Sequence, residues 1–134
     1  MLPAQDHNIQ PRLVLVVDDD EGLRQLIRRQ LAAAGYAVAE ASSGRTALEA
    51  LRDGLGAQGL VTDLEMSDGS GGWLLAQLAY EYPGLLPRTV VITGDAQGAR
   101  AAHIATRWRC PMLAKPFSGA QLVQALARSM DSAA

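Results

Sequence analysis

Leu13-Val14-Leu15-Val16-Val17-Asp18-Asp19-Asp20 is the stretch from which the fold can be read. Five apolar residues without alternation suit a strand buried on both faces, as in a parallel sheet. Three carboxylates follow at once. At about 4 Å and an effective dielectric of roughly 20, one pair of ionised carboxylates repels by about 4 kcal/mol. A cation is therefore expected at that strand end, and a hard metal ion is the usual one. The plainer reading is that the acids solvate the strand end and cap the next helix. Asp20 fits it, because Glu21-Gly22-Leu23 opens a helical pattern and Asp is a favoured N-cap.

Outward from this junction, short apolar runs alternate with helical patterns. The runs are Leu13–Val17, Tyr36–Ala39, Leu60–Thr62, Thr89–Ile92 and Met112–Ala114. Between them, Leu23, Leu26, Ile27, Leu31 and Ala34 form one helical stripe, and Ala47, Leu48 and Leu51 a second. Trp73, Leu74, Gln77 and Leu78 form a mixed third. A last helix carries Val123, Leu126, Ala127 and Met130, opened by a capping box of Ser118 and Gln121. Five such alternations predict an α/β domain: a five-stranded, mostly parallel sheet with helices on both faces. The fourth helix is expected to be the weakest. Its stripe is Ala101, Ile104, Ala105 and Trp108, and Gly98 falls inside it.

With 134 residues the chain suits one domain, bounded at 12–130 by tails at 1–11 and 131–134. Twelve basic against fourteen acidic side chains give a net charge of −2, no footprint for nucleic acid. No apolar stretch is long enough to span a membrane, and no signal peptide is visible. The single cysteine, Cys110, excludes an internal disulfide and fits a cytoplasmic setting. Lacking a partner acid or base, it reads as packing.

Gly54-Leu55-Gly56-Ala57-Gln58-Gly59 matches a dinucleotide fingerprint by letter, but it follows a helix and precedes a strand. The fingerprint needs the opposite order, so nucleotide binding is not expected. Asp63, Thr93 and Lys115 carry more. Each ends or directly follows a buried run, and ligands of open α/β sheets bind at the carboxyl ends of strands. One hydroxyl, one ammonium and at least three carboxylates would then converge on one edge. A carboxylate beside a metal ion can also act as a nucleophile.

Four motifs now stand in order: Val16-Val17-Asp18-Asp19-Asp20, Thr62-Asp63-Leu64-Glu65-Met66, Val91-Ile92-Thr93-Gly94 and Leu113-Ala114-Lys115-Pro116-Phe117. With steps of 44, 30 and 22 residues between Asp19, Asp63, Thr93 and Lys115, the chain resembles the receiver domain of two-component response regulators. The resemblance covers about residues 12 to 130. It implies a flavodoxin-like, doubly wound sheet of strand order 2-1-3-4-5. It also implies that Asp63 accepts a phosphoryl group from a phosphohistidine on a histidine kinase or histidine phosphotransfer protein. Mg²⁺ (or Mn²⁺) would be held by Asp18, Asp19, Asp63 and the backbone carbonyl of Glu65. Lys115 would pair with a phosphoryl oxygen, and Thr93 would swing in to a second. Such proteins are not enzymes beyond their own phosphorylation and dephosphorylation. The resemblance further implies a cis Lys115-Pro116 bond, and pairing of two copies through the fourth helix, fifth strand and fifth helix.

The chain departs from that family at three places. Ser67 stands where a proline is usual, which predicts a looser loop. Met112 stands where an aromatic often serves the switch, and reads as core. Glu65 and Asp95 put acids beside the expected phosphoryl site, where they would tune its lifetime. Trp73 and Trp108 read as packing, His7 and His103 as surface. Two other functions use similar residues. An aspartyl-phosphate phosphatase would want an aspartate at Glu65, and a phosphate-independent interaction module would be free to lose Asp19, Asp63, Thr93 and Lys115. The end of the sequence is similar to receivers joined to hybrid histidine kinases.

Overall fold

A computed structural model describes residues 10–132. Most of the expected N-terminal tail, His7 and the last two residues lie outside that range. The elements are β1 (Leu13–Val17), α1 (Glu21–Ala33), β2 (Ala37–Ala41), α2 (Gly44–Arg52), β3 (Gly59–Asp63), α3 (Gly71–Glu81), a 3₁₀ turn (Pro83–Arg88), β4 (Thr89–Thr93), α4 (Ala99–Trp108), β5 (Met112–Ala114) and α5 (Gly119–Ser132). All strands pair in parallel, in the order β2-β1-β3-β4-β5. Strand order reverses between β1 and β3, which creates the crevice where ligands of such sheets bind.

Both faces of the sheet are covered because successive strand residues point to opposite sides. Val14, Val16, Val61, Val90 and Ile92 pack with Ile27 and Leu31 of α1 and Leu122 and Leu126 of α5. Leu15, Val17, Leu60 and Val91 pack on the other side with Leu48, Leu74, Leu78 and Ile104. The unalternating run of β1 is thus buried from Val14 to Val17. The edge strands β2 and β5 are only half buried.

Local chemistry starts most helices where the sequence placed them. Asp20 Oδ1 accepts the Leu23 N–H at 3.1 Å, and Ser118 with Gln121 closes the expected capping box. Ser43 and Thr46 close a second box at α2, and Ser70 caps α3. Several stripes shift. On α1 only Ile27 and Leu31 are fully buried, while Leu26 and Ala34 face solvent. On α3 Leu75 is buried where Trp73 and Gln77 are not, and on α5 Leu122 replaces Val123. β2 runs two residues further than its apolar letters, because Glu40 and Ala41 pair with Val16 and Val17. α5 likewise continues through Ser132, and Asp131 pairs with Arg12 at 3.3 Å.

Gly98 does not lie inside α4. It is the N-cap, in extended conformation, so its helix-breaking cost is avoided. The helix is still lightly held, burying only Ala101 and Ile104 and having no side-chain cap. It ends on Arg109 in the left-handed region, φ 58° and ψ 28°, a position that favours glycine. Replacing Arg109 by Gly should raise stability by about 1 kcal/mol in denaturant unfolding. A midpoint that stays put or falls would contradict strain at this residue.

Candidate functional site

Parallel pairing decides which strand ends meet. Val17 lies opposite Thr62, Asp63 opposite Ile92, and Thr93 opposite Ala114, so the residues at these ends share one edge. Asp18 is fully buried, Asp63 nearly so, and Asp19 is exposed. Each of the three offers a carboxylate oxygen, and these atoms lie within 4.8 Å of one another. Lys115 reaches into the group from the end of β5, its Nζ 3.1 Å from Asp63 Oδ2. The Lys115-Pro116 bond is cis, as the resemblance implied. Asp63 Oδ1 accepts the Glu65 N–H at 3.3 Å.

The electrostatics are unbalanced. Asp18 Oδ1 accepts the Asp20 N–H at 2.9 Å, but Oδ2 is buried with no hydrogen-bond partner among the described residues. Burial pushes the Asp18 carboxyl up to about 6; the Asp20 hydrogen bond opposes this, and the charge of Asp63 adds to it. Burial works against the Lys115 ammonium. Its hydrogen bond to Asp63 and the surrounding negative charge outweigh that, leaving its pKa raised. One lysine thus faces several acids. An all-oxygen, anionic donor set with an orphaned buried oxygen fits a small hard divalent cation such as Mg²⁺ or Mn²⁺.

Thr93 is buried at the end of β4, and its hydroxyl is engaged with Glu65. It donates to Glu65 Oε1 at 3.4 Å and accepts the Asp95 N–H at 3.1 Å. The sequence placed Glu65 and Asp95 beside this edge but gave no sign of that hydroxyl contact. Asp95 turns its carboxylate toward α4: a Cβ on Gly98 would come 2.4 Å from its Oδ2. The loop after Asp63 is tied down despite Ser67. Gly44 N–H donates to Gly69 O at 2.8 Å and Arg45 pairs with Asp68 at 3.1 Å. α3 starts directly on the phosphoacceptor candidate's backbone, since a Cβ at Gly71 would sit 2.3 Å from Asp63 O.

The remaining features behave as packing. Cys110 is buried, its thiol pushed up to about 11 by burial. Trp73, Trp108 and Met112 are half buried against the core, and His103 is exposed. Gly54 to Gly59 connects α2 to β3, with no helix to follow it.

A family model described as the response regulator receiver domain matches residues 14–127, nearly all of the folded chain. The chain belongs to the response regulator receiver family. This receiver is 32% identical over 120 residues to the sensor kinase CckA of Brucella abortus, a match covering 88% of the chain and 12% of the relative. It is 29% identical over 119 residues to the transcriptional regulator NtrC of Azospirillum brasilense, covering 89% of the chain and 24% of the relative. Among solved structures, a response regulator receiver protein from Sinorhizobium medicae is similar at 29% identity and a TM-score of 0.80. That match covers 93% of this chain and 98% of that one. The receiver therefore spans between about an eighth and a quarter of the length of these two curated relatives.

The burial of Asp18 makes a signed prediction. Its carboxyl rises from an ordinary 3.8 to about 6, so ionising it works against folding. The penalty is absent below about pH 3.8, grows through that window and is complete above about pH 6. In metal-free buffer, Asp18→Asn should therefore exceed the wild type in stability by about 3 kcal/mol at pH 7. The gap should close toward pH 4. Millimolar Mg²⁺ should narrow it at pH 7 by stabilising the wild type. A difference independent of pH in denaturant unfolding would contradict the assignment.

Proposed function

We propose that this receiver takes a phosphoryl group onto Asp63 from the phosphohistidine of a histidine kinase or histidine phosphotransfer protein, and changes conformation in response. The observation that carries the reading is the buried Asp63 carboxylate, held 3.1 Å from Lys115 with Asp18 and Asp19 within 4.8 Å. A carboxylate oxygen of Asp63 forms the bond to phosphorus as the histidine nitrogen–phosphorus bond breaks. The electron pair stays on the imidazole.

Asp18, Asp19 and Asp63, with the backbone carbonyl of Glu65, would hold Mg²⁺ or Mn²⁺. Such an ion neutralises the carboxylates and the transferring group, whose chemistry is mainly positioning and electrostatics. Lys115 supplies fixed positive charge beside Asp63 and pairs with a phosphoryl oxygen after transfer. Thr93 releases Glu65 and donates its hydroxyl to another phosphoryl oxygen. Its Asp95 hydrogen bond passes that change to the loop ahead of the lightly held α4. The chain acts on no separate substrate. No helix among the described residues is long and apolar enough to cross a membrane, and the proposed setting is the cytoplasm.

Incubation with Mg²⁺ and phosphoramidate should add one phosphoryl group by intact-mass spectrometry. The adduct should vanish in Asp63→Ala and form at least about 100-fold more slowly in Asp19→Asn. Labelling that survives Asp63→Ala, or proceeds equally in EDTA, would overturn the proposal. Glu65→Gln and Asp95→Asn should each change the dephosphorylation rate by about threefold or more, the first by neutralising the carboxylate that holds the Thr93 hydroxyl, the second by neutralising a carboxylate on the loop that Thr93 anchors. Unchanged rates in both variants would remove these two acids from the account.

A further inference from the structure

Three polar atoms of Asp18 are tied down, each by a different residue. Its N–H donates to Ala41 O at the end of β2 at 3.1 Å, and its Oδ1 accepts the Asp20 N–H at 2.9 Å. Its carbonyl lies one residue past the end of β1 and accepts an Nη1–H of Arg24 at 2.8 Å. Oδ2 is buried and has no hydrogen-bond partner among the described residues. A peptide group is planar, so a held carbonyl fixes the whole Asp18–Asp19 unit. The direction in which Asp19 leaves the chain is fixed with it.

Arg24 is built into this position. It stands in the first turn of α1, where its own N–H donates to Asp20 O at 2.9 Å. Helical side chains lean toward the helix N-terminus, which aims this one back at the loop. Its side chain is only 14% exposed, against 57% for Arg28, so it is no solvated surface arginine. Its Nε donates to Glu40 Oε1 at 2.9 Å, and one planar fork thus spans a carboxylate on β2 and a carbonyl on the loop. Arg28 holds the other Glu40 oxygen at 3.3 Å. An ordinary surface ion pair stops at the carboxylate and contributes little.

We propose that Arg24, braced by Glu40, is a positioning residue for the Asp18–Asp19 half of the cation site. It holds the Asp18 carbonyl so that the two carboxylates keep the spacing a divalent ion requires. The inference rests on the phosphoacceptor reading given above and extends it to residues that stand behind the carboxylates. Partners of this kind are commonly worth roughly 10–100-fold in metal affinity. The sign of the effect separates positioning from charge. Arg24 is cationic, so by Coulomb's law alone its removal would tighten the binding of a cation. Loss of a held carbonyl does the reverse.

The test is titration of the whole chain with Mn²⁺ and no phosphodonor, the free ion being read by electron paramagnetic resonance. Arg24→Met keeps the unbranched stem, removes the fork and should raise the dissociation constant about tenfold or more. Arg24→Lys keeps the charge but replaces the two-point fork by one ammonium, and should raise it about threefold or more. Glu40→Ala should also raise it about threefold, and the double variant Arg24→Met, Glu40→Ala should bind no more weakly than Arg24→Met alone, since a brace without the fork holds nothing. Arg28→Gln loses a contact with Glu40 but none with Asp18, and should stay within about twofold of the wild type. Unchanged or tighter binding in Arg24→Met, wild-type affinity in Arg24→Lys, or losses that add in the double variant would overturn the proposal. If circular dichroism shows Arg24→Met unfolded, Arg24→Lys and Glu40→Ala decide it. Asp19→Asn separates the two readings. Wild-type Mn²⁺ binding that Asp19→Asn leaves intact would sink the cation site and this inference together. A strong loss in Asp19→Asn beside none in Arg24→Met would sink this inference alone.

Discussion

Like charges held together at the end of buried strands set the terms for everything else in this receiver. Asp18, Asp19 and Asp63 bring carboxylate oxygens within 4.8 Å, and among the described residues Lys115 is the cation that pairs with a carboxylate of the group. Ionising this buried cluster disfavours folding: burial first, and then the charge of Asp63, raise the Asp18 carboxyl. It persists because the strands beneath it are packed on both faces, with β1, β3 and β4 buried almost throughout. Core packing thus supports an arrangement that is unfavourable by itself.

The same constraint reaches α4. Among the described residues Glu65 has no cationic partner beyond the field of Lys115, and it accepts the Thr93 hydroxyl. Thr93 in turn accepts the Asp95 N–H, and Asp95 packs over the Gly98 N-cap. This contiguous chain runs from the carboxylates to the helix that the core holds least. A change of charge at Asp63 would bear first on Glu65 and Thr93, then on the start of α4.

Much of this was legible in the sequence because burial and strand ends leave strong marks. The unalternating runs at Leu13–Val17 and Thr89–Ile92 reported double-sided burial, and Asp18, Asp63, Thr93 and Lys115 reported the shared edge. β2 was less legible: as an edge strand its last two residues, Glu40 and Ala41, are fixed by pairing with β1, not by hydrophobicity. The α5 stripe slipped from Val123 to Leu122 because adjacent apolar residues cannot show which one faces the sheet. Gly98 read as a helix breaker until the backbone made it a cap. The Glu65–Thr93 hydrogen bond joins side chains 28 residues apart, which no local pattern reports.

The central claim is that Asp63 is the residue that receives phosphate and that divalent cation makes it competent. Its most direct test is borohydride reduction after phosphorylation with a phosphodonor, followed by peptide mass spectrometry. An acyl phosphate at Asp63 is reduced to homoserine, so the account predicts homoserine at position 63, formed with Mg²⁺ and absent with EDTA. Phosphate recovered on another residue, or homoserine at 63 formed equally without the cation, would contradict it.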